Sequence, residues 1–247
     1  SPDSDIIDVG PAGTTMRFIT TLASLCEGKT IITGDKRMQQ RPIQDLLDAL
    51  KQLGVKCESD NGFPPVNILG GSFNGGNIKL KGDISSQYIS SILMCAPYAK
   101  KDVKINIVGA LASKPYVDIT IDVMKNFGVD VKNIKYKKFI VKNNKKYKSK
   151  NYKIEGDASN ASYFLAAAAV TKGKVMVKNI NPNSKQGDIR FVYLLKKMGC
   201  FVSKGKDFIK VEGHSLKSID VDMNGMPDIV PTLAVTSLFA NSTTTIK

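Results

Sequence analysis

The sequence is poor in the residues from which most metal and hydrolytic centres are built. It contains one histidine, His214, and no tryptophan, and only four of its 36 basic residues are arginine. A single histidine argues against a histidine-based metal centre and against a Ser-His-Asp triad, because both need a positioned imidazole. His214 lies in a polar, turn-like stretch and is predicted to be a surface residue.

The cysteines are too scattered to act as a group. Cys26, Cys57, Cys95 and Cys200 never form a C-x-x-C pair, which argues against structural zinc and against a disulfide framework. We expect four buried, reduced thiols, as is usual for a cytoplasmic protein of this size.

Long apolar runs are also missing. A membrane helix needs about 20 apolar residues, and the longest candidate is the short stretch Tyr163–Val170. The acidic, polar start differs from the basic start of a secretory signal. The composition, 42% hydrophobic and 23% charged, is that of a soluble globular chain. Because the sequence begins without methionine and stops at Lys247 inside a predicted strand, we expect a piece of a longer protein.

Positive charge is abundant, and the formal net charge is +14. Ten lysines fall between Lys132 and Lys153, where aromatic residues are interleaved in a way that would suit phosphate contact and base stacking in a nucleic-acid-binding module. The alternative is a solvated hairpin and connector, which we favour because lysines among Asn and Ser mostly serve solubility. The interleaved aromatic residues are Tyr136, Phe139, Tyr147 and Tyr152.

An internal repeat of about 70 residues organises the chain. Three segments share an amphipathic helix, a closing glycine and an apolar strand start: Leu47–Val55, Ile121–Val129 and Tyr193–Phe201. The closing glycines suit the left-handed residue that ends a helix, and they are Gly54, Gly128 and Gly199. With the β-rich stretches between, the pattern predicts units of helix, strand, helix, strand, strand, three in full and the start of a fourth.

A second series with the same period opens the other helices. Gly, Thr, Ser, Gln and Asp stand at these starts, beginning at Gly13, Ser85, Ala158 and Pro227. Such residues cap amide groups or leave them facing outward, and each helix N-terminus presents N–H donors and partial positive charge to an anion. Several related starts would suit a phosphorylated substrate.

Arginine is concentrated near the first of these starts. Three of the four arginines lie in Asp8–Arg17 and Gly34–Pro42. The planar guanidinium grips carboxylate or phosphate with paired hydrogen bonds, whereas lysine offers a point charge. The spacing indicates an anion site, with ordinary surface arginines as the alternative.

Motifs along nearly the whole chain carry a resemblance to a known family. They are Gly10-x-Ala-Gly-Thr-x-Met-Arg17, Arg37-Met-x-x-Arg-Pro-Ile43, Gly82-Asp-x-Ser-Ser-Gln87, Ser113-Lys-Pro-Tyr116, Glu155-Gly-Asp-Ala-Ser-x-Ala-Ser-Tyr-Phe164, Gln186-Gly-Asp188 and Met226-Pro-Asp228. In this order they resemble 5-enolpyruvylshikimate-3-phosphate synthase, an enolpyruvyl transferase. The resemblance implies an inside-out α/β barrel-type fold of repeated units in two domains, residues 1–155 and 156–247.

The resemblance also implies an activity. It is transfer of the enolpyruvyl group of phosphoenolpyruvate to the 5-hydroxyl of 3-phosphoshikimate in aromatic amino-acid biosynthesis, without metal or cofactor, by a cytoplasmic enzyme that is monomeric at full length. The partners would be these two small molecules, with no nucleic acid and no membrane. The family is the target of glyphosate, which it binds in the phosphoenolpyruvate pocket. Pro11 and Phe18 depart from the family's usual residues beside that pocket.

Site residues follow from the resemblance by position. Contacts to 3-phosphoshikimate would come from Ser85, Ser86, Gln87, Ser113 and Tyr116. Phosphoenolpyruvate would meet Gly13, Arg41 and Gln87. Asp228 would be the catalytic carboxylate, which also binds 3-phosphoshikimate and orients its hydroxyl for deprotonation. Taken alone, the serines are ordinary helix caps and Asp228 is a helix N-cap after Pro227.

The resemblance is incomplete near both ends of the chain, and a related family is an alternative. The family's early Lys-Ser pair is missing, as are its later catalytic Glu and further Arg and Lys residues, so we expect the isolated 247 residues to be inactive. Because one repeat of each domain is incomplete, we also expect them to be only weakly stable. UDP-N-acetylglucosamine enolpyruvyl transferase shares the fold and the donor. It lacks the Ser-Ser-Gln and Ser-Lys-Pro-Tyr pattern and uses a mobile-loop cysteine that this chain does not show.

Overall fold

A computed structural model describes residues 5–247 of the chain. It divides into two compact units, Ser1–Lys150 and Asn151–Lys247. The division falls after Lys150. The domain boundary after residue 155, which the resemblance implies, stays a prediction.

The first unit contains two copies of one succession of elements. The first copy is β1 (Ile6–Asp8), α1 (Gly13–Ala23), β2 (Lys29–Thr33), α2 (Gln44–Gln52), β3 (Lys56–Asp60) and β4 (Phe63–Leu69). The second copy is β5 (Gly76–Lys81), α3 (Ser86–Cys95), β6 (Val103–Val108), α4 (Lys114–Asn126), β7 (Val131–Ile134) and β8 (Lys138–Val141). Single 3-10 turns, Met38–Gln40 and Ala96–Tyr98, interrupt the connections.

The second unit contains a third copy and the opening of another. Its elements are α5 (Ala158–Val170), β9 (Lys174–Lys178), α6 (Phe191–Lys197), β10 (Phe201–Lys204), β11 (Phe208–Glu212), β12 (Asp220–Val221), α7 (Val230–Ser237) and β13 (Thr245–Ile246). Two 3-10 turns, Gly187–Arg190 and Pro227–Ile229, precede α6 and α7. The helix-strand-helix-strand-strand repeat predicted from the sequence is therefore present.

The sheets of the first unit share one topology. Their strand orders are β1-β2-β4-β3 and β5-β6-β8-β7, in which the opening pair is parallel and the other neighbours are antiparallel. The second unit repeats the last three positions as β10-β11-β9 and starts a new parallel pair, β12-β13. Each sheet of the first unit thus opens with a strand, β1 or β5, that the repeat pattern did not predict.

The closing glycines end three helices in the same way. Gly54, Gly128 and Gly199 have φ of +90°, +90° and +106°, a region that other residues adopt only at a cost. The N–H after each glycine donates to the carbonyl five residues back, as Val55 does to Leu50 at 3.0 Å, and the glycine N–H donates three residues back. This pair of hydrogen bonds is the Schellman motif, and it turns the chain directly into the next strand.

Helix α3 is the most buried helix of the first unit. It packs between α1 and α4, and hydroxyl groups bridge the helices: Thr21 donates to Ser91 at 2.9 Å, and Thr120 donates to Ser90 at 2.7 Å. Buried hydroxyls need such partners because an unpaired polar group in a core is costly. The bridges fix α1 and α4 against α3, so the three helix starts keep a defined arrangement.

The lysine-rich segment forms the predicted hairpin and connector. Strands β7 and β8 pair antiparallel, and the chain from residue 142 to 157 is without helix or strand. Phe139 is fully buried, and Tyr136 and Tyr147 pack against the core. Three of the four aromatic rings therefore serve the fold rather than an exposed stacking face.

The structure corrects one expectation about the thiols. All four cysteines are free, as predicted, but Cys26 is exposed, and only the other three are buried. Burial raises the pKa of Cys57 to about 11 and that of Cys95 to about 12. His214 is exposed at the surface, as predicted, with its ring against Phe201.

Within residues 5–247, no helix is both long and apolar enough to cross a membrane. The same part of the chain has no group of three or more His, Cys, Asp or Glu side chains arranged to hold a metal ion.

Candidate active site

The start of α1 is built to leave its amide groups available. The helix begins at Gly13, its N-cap is Ala12, and no acidic residue stands in its first turn. An apolar cap cannot accept a hydrogen bond from the first N–H groups, so these donors need another acceptor. The helix dipole adds partial positive charge at the same place.

Arg17 lies one turn into α1 and is almost wholly buried, with 7% of its surface exposed. Its Nη1 donates to the Gly13 carbonyl at 2.6 Å, while its Nε has no hydrogen-bond partner in the described structure. Burial lowers the pKa of Arg17, the nearby Tyr88 hydroxyl partly offsets this, and the charge of Arg41 lowers it further. Arg17 is therefore a desolvated cation with donor capacity to spare.

Arg41 completes a pair of guanidinium groups around Gly13. A Cβ on Gly13 would overlap Nη1 of both Arg17 and Arg41, so only glycine allows both groups to approach the backbone here. Among the residues that the structure describes, no carboxylate forms a salt bridge with either arginine. Two adjacent cations at a helix N-terminus, one of them buried, favour an anionic ligand.

The start of α3 is tied to this cluster. Gln87 donates from Nε2 to the Thr14 hydroxyl at 3.1 Å, which places the glutamine next to Gly13. The Tyr88 hydroxyl donates to the Pro42 carbonyl at 2.9 Å and so holds the loop that carries Arg41. Gly13, Arg41 and Gln87, the three residues that the resemblance assigns to phosphoenolpyruvate, thus lie together.

The two serines at the start of α3 differ in their surroundings. Ser85 is the N-cap, and its Oγ accepts from the Gln87 N–H at 3.2 Å. Ser86 is the first helical residue and is buried. The capping role read from the sequence for Ser85 is therefore present, and a cap hydroxyl keeps a donor with which to meet a ligand.

The start of α4 lies beside the start of α3. Ala112 donates to the Gly82 carbonyl at 2.9 Å and thereby joins the two loops that precede the helices. Ser113 caps α4 in a left-handed conformation, φ 51°, and its side chain makes no cap hydrogen bond. A non-glycine residue held at positive φ is a strained position that functional sites often contain. Tyr116 lies in the first turn of α4, with its N–H donating to the Ser113 carbonyl at 3.2 Å.

The second unit contains Asp228, and the structure places it within the 3-10 turn Pro227–Ile229 that leads into α7. The N-cap residues here are Met226 for the turn and Ile229 for α7, so the alternative interpretation of Asp228 as a helix N-cap is wrong. Pro227 fixes one backbone angle directly before the carboxylate, which limits its freedom.

A buried carboxyl group, Asp188, neighbours Asp228. Ser159 at the start of α5 donates to Asp188 Oδ2, while Oδ1 has no partner in the described structure. Burial raises the pKa of Asp188. The Ser159 bond counters this, and the charges of Asp228 and Asp157 raise it further. The turn Gly187–Arg190 therefore carries an acid that is more easily neutral than an exposed aspartate.

Sequence reasoning missed Arg17 as a site residue, although it named the motif that contains it. The available signal was spacing, because a residue four positions after Gly13 stacks on the same face of a helix. It also missed Asp188, whose burial depends on α5 and the Asp228 turn and is not encoded locally.

Comparison with known proteins gives one consistent result. A family model described as EPSP synthase (3-phosphoshikimate 1-carboxyvinyltransferase) matches residues 1–247. The chain is 50% identical over 247 residues to a 3-phosphoshikimate 1-carboxyvinyltransferase of Haemophilus influenzae, covering 97% of this chain and 56% of the relative. It is 49% identical over 242 residues to the protein of that name from Buchnera aphidicola, with the same two coverages.

Structural comparison agrees. EPSP synthase from Acinetobacter baumannii superposes with a TM-score of 0.80 at 25% identity, covering all of this chain and 57% of that one. This match confirms the predicted α/β fold class. The chain spans somewhat over half the length of the relatives it matches.

Proposed function

Since the chain belongs to the EPSP synthase family, we propose that it takes part in transfer of the enolpyruvyl group of phosphoenolpyruvate to the 5-hydroxyl of 3-phosphoshikimate. Phosphate is the second product. The reactants are both phosphorylated anions, so the site must lower their mutual repulsion and hold them in register.

The observation that carries the proposal is the cationic cluster at the start of α1. Arg17 and Arg41 converge on Gly13 with no salt-bridged carboxylate among the described residues. Charge-assisted hydrogen bonds are worth about 1.5–3 kcal/mol each, enough for a pair of arginines to hold a phosphate or carboxylate. We assign phosphoenolpyruvate to Gly13, Arg41 and Gln87, with Arg17 added.

We assign 3-phosphoshikimate to the hydroxyl-rich helix starts. Ser85, Ser86 and Ser113 donate hydrogen bonds without adding charge, and the helix dipoles of α3 and α4 favour a phosphate beside them. Gln87 belongs to both groups because it links α3 to the cluster at α1. Tyr116 supplies a face for the carbocycle.

The chemistry needs one base and one proton donor. The 5-hydroxyl attacks C2 of phosphoenolpyruvate while the methylene carbon gains a proton, which gives a tetrahedral intermediate. Loss of phosphate and of a proton from that methyl group then restores the double bond. We assign Asp228 to orient the hydroxyl and accept its proton. The reactants are small molecules, and we propose a monomeric cytoplasmic enzyme without metal or cofactor.

Calorimetric titration of the chain with phosphoenolpyruvate in the presence of 3-phosphoshikimate tests the assignment. Arg41→Ala is expected to weaken phosphoenolpyruvate binding about 10- to 100-fold, as loss of one charge-assisted contact predicts. Lys132→Ala removes the same charge from exposed strand β7 and serves as the matched control. An equal loss in both variants would mean that general positive charge, and not the cluster, attracts the ligand.

Turnover by a full-length enzyme that contains these residues tests the reaction itself, because the 247 residues alone are expected to be inactive. Phosphate release should require both reactants, and Asp228→Asn should lower kcat by at least about 100-fold, within the usual range for removing a general base. Phosphate release that proceeds without 3-phosphoshikimate would contradict the proposed reaction.

A further inference from the structure

Arg190 in the second unit is exposed, yet its side chain joins two loops. It is the last residue of the 3-10 turn Gly187–Arg190, and its side chain reaches across to the segment before Asp228. Nε donates to the Gly187 carbonyl at 3.1 Å, and Nη2 donates to the Gly225 carbonyl at 2.7 Å. One planar guanidinium thus connects two loops through their backbones, a geometry that lysine cannot reproduce.

Gly225 is shaped to receive that contact. A Cβ on Gly225 would lie 2.7 Å from Arg190 Nη2 and 3.4 Å from its Cζ. The backbone of Gly225 does not have the positive φ that would itself demand glycine. The missing side chain therefore serves the close approach of the arginine.

The segment from Gly225 to Asp228 is short and stiff. Met226 is buried, its N–H donates to the Met223 carbonyl at 2.9 Å, and Pro227 has a fixed φ. We therefore expect a displacement of the Gly225 carbonyl to shift Asp228, three residues later. The turn that carries Arg190 also carries the buried Asp188, whose electrostatic neighbours include both Asp228 and Arg190.

The same turn is anchored to the start of α5. The Gln186 side chain accepts from the Ala158 N–H at 2.8 Å and donates to the Gly156 carbonyl at 2.9 Å. Asp188 accepts from the Ser159 hydroxyl. The segment Gln186–Arg190 therefore has a fixed base on α5, from which Arg190 extends to the Asp228 segment.

We propose that Arg190 is a positioning residue for the Asp228 carboxylate, acting through the Gly225 carbonyl and the rigid Gly225–Asp228 segment. This inference rests on the proposed function, in which Asp228 accepts the proton of the attacking hydroxyl. Arg190 itself touches no reactant in this scheme. A misplacement of about 1 Å at a reacting group can lower the rate about 100-fold, so the bridge is a sensitive element.

The test is steady-state kinetics of a full-length enzyme that contains these residues. Arg190→Ala is expected to lower kcat about 10- to 100-fold while KM for 3-phosphoshikimate changes less than about threefold, because the assigned 3-phosphoshikimate contacts other than Asp228 lie in the first unit. Arg190→Lys keeps the charge but loses the fork and should be nearly as slow. Lys196→Ala, at an exposed position in α6, is the control and should keep normal kcat. Full recovery by lysine would overturn the proposal.

Gly225→Ala gives an independent test without removing any functional group. The added methyl displaces only the end of a flexible side chain, so the melting temperature should change little while kcat falls as in Arg190→Ala. The double variant Arg190→Ala with Gly225→Ala should be no slower than Arg190→Ala alone, since the clash and the bond are the same contact. Losses that multiply would contradict the bridge.

A double-mutant cycle with Asp228→Asn separates the proposed role of Asp228 from the proposed role of Arg190. Where Asp228 is already disabled, Arg190→Ala should cause no further loss of kcat, because its effect passes through that carboxylate. If Asp228→Asn alone keeps normal kcat, the proposed function of Asp228 fails and the inference with it. If Asp228→Asn is slow but Arg190→Ala is fast, or the two losses multiply, the inference alone fails.

Discussion

The starts of α1 and α5 occupy the same place in the repeat but have opposite chemistry. At α1 the cap is Ala12, and two guanidinium groups stand beside the first turn. At α5 the cap is Asp157, whose carboxylate accepts from the N–H groups of Ser159 and Asn160. The first start has donors without an internal acceptor, whereas the second satisfies its donors with its own charge. The repeat thus sets where helix starts lie, and the cap residue decides whether a start is open to an anion.

Gly13→Ala should have the largest effect on this contrast. The added Cβ overlaps both Arg17 and Arg41, so the change disrupts two charge-assisted contacts at once. Each is worth about 1.5–3 kcal/mol, and phosphoenolpyruvate binding should weaken by about 100-fold or more. Calorimetric titration measures the affinity. Binding within about threefold of the original protein would show that the cluster does not hold the anion.

Asp157→Ala should weaken the second unit instead. Loss of a capping carboxylate costs about 0.5–2 kcal/mol, so the free energy of unfolding should fall by about 1 kcal/mol. Urea denaturation followed by circular dichroism measures this. An unchanged midpoint would mean that Gln186, which also bonds the first turn of α5, supports that helix start unaided.

Ala12→Asp transfers the chemistry of α5 to α1 and should have a smaller effect on stability. A capping carboxylate and its favourable interaction with the helix dipole should stabilise the first unit by about 0.3–1 kcal/mol. The same charge should compete with phosphoenolpyruvate for the freed N–H groups and arginines, so affinity should fall. Thermal denaturation and titration of the same sample distinguish the two effects, and a variant that gains both stability and affinity would contradict competition.

Asp188→Asn should give the smallest change, visible as a pH dependence. Burial raises the pKa of Asp188 above its ordinary value of 3.8, so the folded state holds this proton more tightly than the unfolded state. Stability from this group is therefore lost as pH rises from about the ordinary value through the raised one. The asparagine variant should gain stability relative to the original protein at pH 7 but not at pH 3.5. Equal differences at both pH values would show that Asp188 does not titrate in this range.

The parts of the fold that the sequence predicted are those set by nearby residues. Apolar spacing and a closing glycine lie within one segment, so the second helix of each copy and its end were predicted at Gly54, Gly128 and Gly199. Strand β1 has three residues and exists because it pairs with β2, so no local pattern reveals it.

The candidate site also contains residues that the sequence predicted and contacts that it did not. The resemblance predicted that the motif residues Gly13, Arg41 and Gln87 share one ligand, and helix packing brings them together. Arg17 has Tyr88 of another helix as an electrostatic neighbour, and the bridge from Arg190 to Gly225 joins residues 35 positions apart. Such contacts depend on tertiary packing, which periodicity and capping do not specify.

Amide chemical shifts of the labelled chain, followed by NMR during titration with phosphoenolpyruvate and 3-phosphoshikimate, test the central claim most directly. The claim is that the start of α1 is an anion site made by Gly13, Arg17 and Arg41. The account predicts saturable shifts at Gly13, Thr14 and Gln87, and loss of these shifts in Arg41→Ala. Shifts confined to Lys132–Lys153 that vanish with added salt would contradict it.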